Sequence, residues 1–200
     1  MGKTINEKKV IAVEGKDEVN FFNALFKHTE IDGFEIHEIG GKDQFKDKLP
    51  ALIRMRGFSD VEMLAVIRDA DNNAATAFKS IRNILKKEKL KPPAQANQFS
   101  DGSPKIGIFI MPGNSDKGML EDLCLKTVEH HPAMHCVKLF VDCVSELENP
   151  PNNIAKAKAQ AFLAAMPRLV NSVGLGAKKG YWDFDSEALT DLKIFISALR

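Results

Sequence analysis

Residues 62–73 have the sequence EMLAVIRDADNN, and this stretch decides the fold. Its first half is a nearly continuous apolar run, which is typical of a strand buried on both faces at the centre of a parallel sheet. The acidic turn Asp69-Ala70-Asp71 ends the strand, and a helical pattern follows from about residue 74 to 89. A buried strand followed directly by a helix predicts a parallel α/β sheet.

The same alternation of strand and helix extends in both directions along the chain. The pattern predicts strands at 8–13, 34–39, 62–68 and 105–111, and helices at 17–28, 43–56, 74–89 and from about 119. Pro50 predicts a kink in the second helix, and the polar residues 91–104 predict a surface loop. This order predicts a Rossmann-like α/β fold: a mostly parallel, four-stranded sheet with helices on both faces.

The remainder of the chain has a different character. Helices are predicted at 131–147, 152–166 and 186–199, with a glycine-rich loop, GLGAKKGYWDF, at 174–184. We therefore expect an α/β domain at 1–129 and a C-terminal helical extension at 130–200. We expect the extension to pack on the domain as one compact unit.

Length and charge limit the classes of function. The chain has 200 residues, enough for one domain, and a net charge of +1. This balance excludes a polybasic nucleic-acid coat but not an enzyme with a local acidic site. No apolar run approaches the length of a membrane span, and no secretory signal is visible, so we expect a cytoplasmic protein. The three cysteines, with neither disulfide nor zinc-finger spacing, are predicted to be buried thiols: Cys124, Cys136 and Cys143.

Acidic residues follow three of the predicted strands. Glu14 follows the first strand, Asp69 and Asp71 follow the third, and Glu121 with Asp122 follows the fourth. The carboxyl ends of parallel strands form the ligand crevice of an open sheet. Carboxylates gathered there repel one another, and a divalent cation such as Mg²⁺ relieves the repulsion. The alternative is that each aspartate is only a turn or helix-capping residue.

The segments VEGKDE and IRDADNN, each following an apolar strand, resemble the Toprim domain of topoisomerases, bacterial primases, ribosomal-RNA maturation nucleases and OLD-type nucleases. The resemblance covers residues 8–125. The segment GYWDFDSEALTDLKIF is similar to the small bacterial DUF3226-type proteins.

The resemblance implies a role for each matching acidic residue. It makes Glu14 a general acid/base or metal ligand, and it makes Asp69 and Asp71 the metal-binding pair. Glu121 resembles an acidic position of the OLD-type nucleases, and Asp17 would complete a second metal position with it. Asn72-Asn73 depart from the branches that have a further acidic residue here, which puts the second metal in doubt.

Basic residues near the same edge are candidate phosphate contacts. Lys42, in the turn Gly40-Gly41-Lys42-Asp43, and Lys117, in the loop 112–118, are expected to assist catalysis, although either segment is also consistent with a plain loop. Lys16, Lys178 and Lys179 are expected to contact nucleic acid, and the alternative is a solvated surface.

Aromatic and histidine residues of the C-terminal part have two interpretations each. Tyr181 and Trp182 stack on a base, or they anchor the extension to the core, which we favour. His130, His131 and His135 are expected to be surface or capping residues rather than metal ligands.

Two functional hypotheses follow. The first is a Mg²⁺- or Mn²⁺-dependent phosphotransfer enzyme, namely a Toprim-type nuclease acting on DNA or RNA. The second is a non-catalytic module of Toprim type that binds nucleic acid, a nucleotide or a partner. A dimer is compatible with either.

Overall fold

A five-stranded sheet runs through the computed structural model, which describes residues 4–113 and 115–199. The strand order is β2-β1-β3-β5-β4, and the strands are β1 (Lys9–Val13), β2 (Phe34–Glu38), β3 (Met63–Asp69), β4 (Gln98–Phe99) and β5 (Lys105–Met111). Four of them are parallel, with β3 at the centre, as the sequence predicts. The Rossmann-like α/β fold is thus confirmed.

The short strand β4 is an addition to the predicted four-stranded sheet. It lies within the predicted loop 91–104 and pairs antiparallel with β5. Its two residues are too few to give an alternating pattern. What holds the segment is backbone pairing, together with the hydroxyl of Ser100, which accepts a hydrogen bond from the N–H of Ile106 at 3.0 Å.

The helices of the first half cover both faces of the sheet. They are α1 (Lys16–Thr29), α2 (Phe45–Ile53), α3 (Ala74–Lys87) and α4 (Leu120–Thr127). Helix α2 is shorter than predicted, because residues 42–44 form a 3-10 turn and the helix ends three residues after Pro50. The missing N–H of Pro50 removes a hydrogen bond to the carbonyl of Lys46 inside the helix, whereas the carbonyl of Pro50 still accepts one from the N–H of Arg54 at 3.1 Å.

Two apolar cores divide the helices between the faces. Helices α2 and α3 bury Leu49, Ile81 and Leu85 against one face. Helices α1 and α4 pack on the other face, together with residues of the C-terminal part such as Phe162 and Phe195. The extension therefore shares a core with α1 and α4, while the domain boundary at 129/130 stays a prediction.

The C-terminal part contains one helix that the sequence analysis missed. Its helices are α5 (Ala133–Ser145), α6 (Ile154–Ala164), α7 (Val173–Lys178) and α8 (Thr190–Ser197). The prediction of a loop was wrong for α7, because glycine disfavours helix in isolation. Here Gly174 allows α7 to pack directly on the backbone of Asp17 in α1.

Trp182 anchors this part of the chain. The indole is buried and stacks on Phe162 at 5.2 Å between ring centroids. Its Nε1–H donates to the carbonyl of Val173 at 2.7 Å, while the hydroxyl of Tyr181 donates to the carbonyl of Arg168. The anchoring interpretation is confirmed for Trp182, which is not available for stacking on a base.

The prediction that the cysteines are buried thiols is correct for one of the three. Cys124 is buried, but Cys136 and Cys143 are exposed. Helix α5 turns Val137 and Val141 inward, four residues apart, and the two cysteines lie on other sides of the helix.

The histidines of the α4–α5 connection are polar surface or capping residues, as predicted. Nδ1 of His131 accepts a hydrogen bond from the N–H of Ala133 at 3.1 Å, just before α5 begins. No helix among residues 4–113 and 115–199 is long and apolar enough to cross a membrane.

Gly174→Ala should destabilise the protein. A Cβ at this position would lie 2.6 Å from the carbonyl oxygen of Asp17 and 2.8 Å from the Cβ of Asn20, so α7 must move. We expect a loss of about 1–3 kcal/mol in the free energy of unfolding, measured by urea titration. Without that close packing, alanine would instead stabilise the helix by up to about 1 kcal/mol.

The control is Lys178→Ala, at an exposed position of the same helix. It should change stability by no more than about 0.5 kcal/mol. A Gly174→Ala protein as stable as the wild type would contradict the packing described for α7.

Candidate functional site

A crevice of about 530 Å³ opens at the carboxyl ends of the parallel strands. We call it the acidic crevice. Helices α1, α4, α6 and α7 or the turns before them contribute to its walls, and the residues lining it include Glu14, Lys16, Asp17, Glu18, Asp69, Glu121, Lys156 and Ser172. The sequence therefore predicted correctly that acidic residues from three strand ends meet at this edge.

Glu14 follows β1 directly. Its Oε2 atom is buried and has no hydrogen-bond partner among the described residues. Burial raises the pKa of its carboxyl group, and the negative charge of Asp71 raises that pKa further. The Arg68 guanidinium and the backbone amides of Asp69 and Lys42 oppose this effect without cancelling it. Such a group retains or takes up a proton more readily than an exposed glutamate.

The two aspartates after β3 point to different places. Asp69 is the last residue of the strand and is buried, and its Oδ1 accepts a hydrogen bond from the N–H of Leu120 at the start of α4. Burial, followed by the charges of Glu18, Glu14 and Glu121, raises its pKa well above the usual range.

Asp71 has a left-handed backbone, with φ of 52°, and its backbone pairs with that of Gly118. Its carboxyl group lies 3.4 Å from Nζ of Lys42. Asp71, Lys42 and the neighbouring Lys117 form a second region beside the acidic crevice, which we call the Asp71 rim.

Glu121 and Lys156 face each other across the acidic crevice. Glu121 lies in the first turn of α4, with its Oε1 atom 4.0 Å from Nζ of Lys156 in α6. Burial is the main cause of the raised pKa of Glu121, and Lys156 partly offsets it. The neighbouring Asp122 has a structural role, since its Oδ2 accepts a hydrogen bond from the N–H of Met119 at 2.9 Å.

Glu18 is a site residue that the sequence analysis missed. It is buried, it lines the acidic crevice, and its Oε2 accepts a hydrogen bond from the N–H of Gly15 at 2.8 Å. Burial and the charges of Glu14 and Glu121 raise its pKa to about 7. The sequence signal for it is its place at the third position of α1, where a glutamate side chain can accept a hydrogen bond from the N–H of the N-cap residue. Lys156, with its Nζ 4.0 Å from Oε1 of Glu121, is a second residue of the acidic crevice that is absent from the predicted site.

Asp17 has a structural partner besides its place in the acidic crevice. Its Oδ1 accepts a hydrogen bond from the N–H of Gly174 at 3.2 Å, in the first turn of α7. The contact joins α1 to the C-terminal part. The predicted metal role of Asp17 therefore has to coexist with this contact.

The predicted basic residues are spread over three places. Lys16 lines the acidic crevice, Lys42 and Lys117 lie at the Asp71 rim, and Lys178 and Lys179 are exposed at the far end of α7 from Ser172. The loop 112–118 includes Asn114, which lies outside the described residues.

The turn at Gly40-Gly41 is not an open phosphate cradle. The N–H groups of both glycines donate to the carbonyl of Glu14, at 2.7 and 2.8 Å. Both glycines have positive φ angles, which other residues rarely adopt. The turn therefore fixes the backbone of Glu14, and only the side chain of Lys42 remains a candidate phosphate contact.

The donor set fits a hard divalent cation, since it consists of carboxylate oxygens and includes a buried oxygen without a partner. The side chains are not already gathered, however. Across residues 4–113 and 115–199, no three His, Cys, Asp or Glu side chains lie close enough together to hold a metal ion. Binding would therefore require side-chain movement or bridging water.

A family model agrees with the resemblance to DUF3226-type proteins noted in the sequence. The model of the family described as "Protein of unknown function (DUF3226)" matches residues 8–200. No curated protein matches the chain.

Among solved structures, the C-terminal region of the Burkholderia pseudomallei OLD protein is similar, with 14% identity and a TM-score of 0.49, covering 98% of this chain and 100% of that one. The C-terminal region of the Xanthomonas campestris pv. campestris OLD protein has 14% identity and a TM-score of 0.48, covering 96% of each chain.

The stability of the protein should depend on the protonation of Glu18. Its pKa is about 7 in the folded protein against an ordinary value of 4.5, so the folded state binds more protons between these values. Stability is therefore full below about pH 4.5 and is lost as pH rises towards 7, by up to about 3 kcal/mol. Glu18→Gln removes this contribution and keeps an oxygen that can accept the Gly15 N–H.

Urea unfolding at about pH 4.5 and about pH 8 checks this expectation. The variant should gain stability relative to the wild type at the higher pH only. Glu62→Gln, at an exposed residue paired with Lys8, should lack that gain. A Glu18→Gln protein that follows the wild type at both pH values would contradict the assignment.

Proposed function

We propose that this chain, which belongs to the DUF3226 family, is a Mg²⁺- or Mn²⁺-dependent phosphotransfer enzyme that hydrolyses phosphodiester bonds in nucleic acid. The observation that carries the proposal is the buried, unpartnered Oε2 of Glu14 in a crevice lined by carboxyl groups with raised pKa values. Retaining such groups costs stability, and function is the usual reason to retain them.

In this proposal, Glu14, Asp69 and Asp71 hold one cation. Glu121 and Asp17 complete a second position, with Asp17 using the oxygen that does not accept the Gly174 N–H. A bound divalent cation stabilises negative charge on phosphoryl oxygens and makes its water more acidic. Asp69 and Asp71 lie on either side of Ala70. Asp69 would supply a ligand oxygen from the acidic crevice, and Asp71 would supply one from the Asp71 rim.

The chain's own residues supply the remaining functions. The raised pKa of Glu14 suits it to hold or accept a proton during hydrolysis. Lys42 and Lys117 lie where they can neutralise a phosphate at the Asp71 rim, and Lys16 lies beside the acidic crevice. Lys178 and Lys179 stay proposed contacts to a more distant part of the nucleic acid.

The second candidate is a non-catalytic module that binds nucleic acid, a nucleotide or a partner. The observation that favours it is the separation of the acidic side chains, which are not gathered at ligating distance in the described part of the chain. Retention of nucleic acid without cleavage would support this candidate.

Cleavage should depend on a divalent cation and on Glu14. We expect the protein to cut supercoiled plasmid, single-stranded DNA or structured RNA with Mn²⁺ or Mg²⁺ and not with EDTA. Glu14→Gln keeps the size of the side chain but removes its charge, and should lower the rate by about 10²–10⁴-fold. The measurement is the initial rate of product formation on gels.

Glu129→Gln, at an exposed position outside the acidic crevice, is the control and should retain full activity. Cleavage that persists in EDTA, or that is equal in the wild type and Glu14→Gln, would rule out the proposed site.

Mn²⁺ should also raise the melting temperature. A ligand that binds only the folded state stabilises it by about 2.7 kcal/mol at a hundred times its dissociation constant. In Asp69→Asn, Oδ1 can still accept the Leu120 N–H, but one buried charge is gone. This variant should melt higher than the wild type in EDTA and respond less to Mn²⁺.

Asp60→Asn changes an exposed aspartate away from the site and should behave as the wild type in both buffers. If Mn²⁺ leaves the wild type unchanged and Asp69→Asn melts lower in EDTA, then Asp69 is only a capping residue.

A further inference from the structure

The layer formed by α2 and α3 carries a large excess of positive charge. Residues 42–56 contain five basic and two acidic side chains, and residues 79–91 contain six basic and one acidic. Together these segments have a net charge of +8, whereas the whole chain has +1. The rest of the molecule is therefore at −7, so the excess positive charge is concentrated in this layer.

The positive charges lie on the outside of this layer. The apolar side chains of α2 and α3 point into the core beneath them, while Lys46, Lys48, Lys79, Lys86 and Lys87 are exposed. Within α3, the positions of Lys79, Arg82 and Lys86 are separated by three and four residues, so they share one side of the helix. We call this outer face of α2 and α3 the basic face.

Internal partners do not compensate these charges. In the described part of the chain, none of the six basic residues of 79–91 forms an ion pair. Glu88, the one acidic residue of this segment, is held by Arg54 at 2.6 Å. Nε of Arg82 is buried with no hydrogen-bond partner among the described residues.

Helix stability accounts for only part of this pattern. Lysines in the last turn of a helix interact favourably with its dipole, which is sufficient for Lys86 and Lys87. It is not sufficient for Lys79 and Arg82, which lie in the middle of α3, or for Lys89 and Lys91, which follow it.

The basic face begins at the Asp71 rim. Helix α3 starts at Ala74, immediately after Asp71-Asn72-Asn73. Lys42, which lies beside Asp71, precedes α2 by three residues. A polyanion lying on α2 and α3 would therefore reach the edge of the sheet where the candidate site is.

We propose that the basic face binds the phosphate backbone of the nucleic acid on which the candidate site acts. At 1.5 Å per residue, the helical positions from Lys79 to Lys87 span about 12 Å, which matches about seven phosphate charges of a duplex at one per 1.7 Å. The class of partner, nucleic acid, is taken from the proposed function. The concentration of positive charge on this layer is an observation that does not depend on that function.

The test is binding of a fluorescent duplex of about 20 base pairs, and of the corresponding single strand, in EDTA over a range of salt concentrations. EDTA separates binding from metal-dependent cleavage. The variant is Lys79→Gln, Lys86→Gln, Lys87→Gln, which changes exposed side chains only. We expect affinity at low salt to fall at least about tenfold, and the slope of log K against log salt to decrease by about two for the single strand and about three for the duplex.

The matched control is Lys27→Gln, Lys126→Gln, Lys138→Gln. It makes the same change in net charge at exposed positions of α1, α4 and α5, on the opposite side of the sheet. We expect affinity within about twofold of the wild type, and an unchanged salt slope, because non-specific attraction to net charge alone would affect both variants equally.

Any one of the following results would overturn the proposal. The first is equal loss in both triple variants. The second is a loss of binding in the double variant Lys178→Gln, Lys179→Gln with no loss of binding in the α3 variant. The third is binding to phosphatidylserine vesicles without binding to either nucleic acid. If the α3 variant alone loses binding but the wild type never cleaves, the basic face stands and the proposed nuclease fails. If the wild type cleaves nucleic acid and the α3 variant binds it as tightly as the wild type does, the proposed nuclease is supported and the proposed role of the basic face fails.

Discussion

The structure depends on holding like charges together at one edge of the sheet. Glu14, Glu18, Asp69 and Glu121 are mostly shielded from water, and burial is the leading cause of the raised pKa of each. Three helices begin beside these carboxyl groups. Backbone N–H groups at the helix starts offset part of the free energy that burying the carboxyl groups costs. Asp69 accepts a hydrogen bond from the start of α4, Glu18 from the turn before α1 and Asp17 from α7. The positive ends of helix dipoles favour negative charge at these positions.

The two faces of the sheet have different roles in the function proposed here. The helices that close the acidic crevice, α1, α4, α6 and α7, lie on one side, and the basic face lies on the other. The Asp71 rim is where the two meet, since Lys42 leads into α2 and Asp71 leads into α3. A polyanion attracted by one face is thus brought to an edge whose carboxylates would repel it unless cations were present. Electrostatic attraction and metal binding are therefore coupled in the function proposed here.

Sequence alone identified the parts of the site that topology determines. Glu14, Asp69 and Glu121 were predicted to meet because each follows a parallel strand, and the end of a strand is visible as the end of an apolar run. Glu18 was missed because its place depends on how α1 starts, which a single sequence shows only weakly.

Asp71 was expected to share one crevice with Asp69. A left-handed backbone turns it to Lys42 instead. Helix α7 was missed because its glycines lower local helix propensity, and the contact that explains Gly174 is made by Asp17, 157 positions earlier in the chain.

The wall that α7 adds to the acidic crevice also has a consequence for biosynthesis. A ribosome makes the chain from the N-terminus, so Glu14, Asp69 and Glu121 emerge well before Ser172 and Gly174. During that interval the carboxylates lie on an incomplete edge that is more open to water, and their mutual repulsion is correspondingly weaker. The residues of α7 and the turn before it therefore complete the chemical environment of carboxylates made at least 50 positions earlier, and the crevice acquires this wall only after α7 has been synthesised.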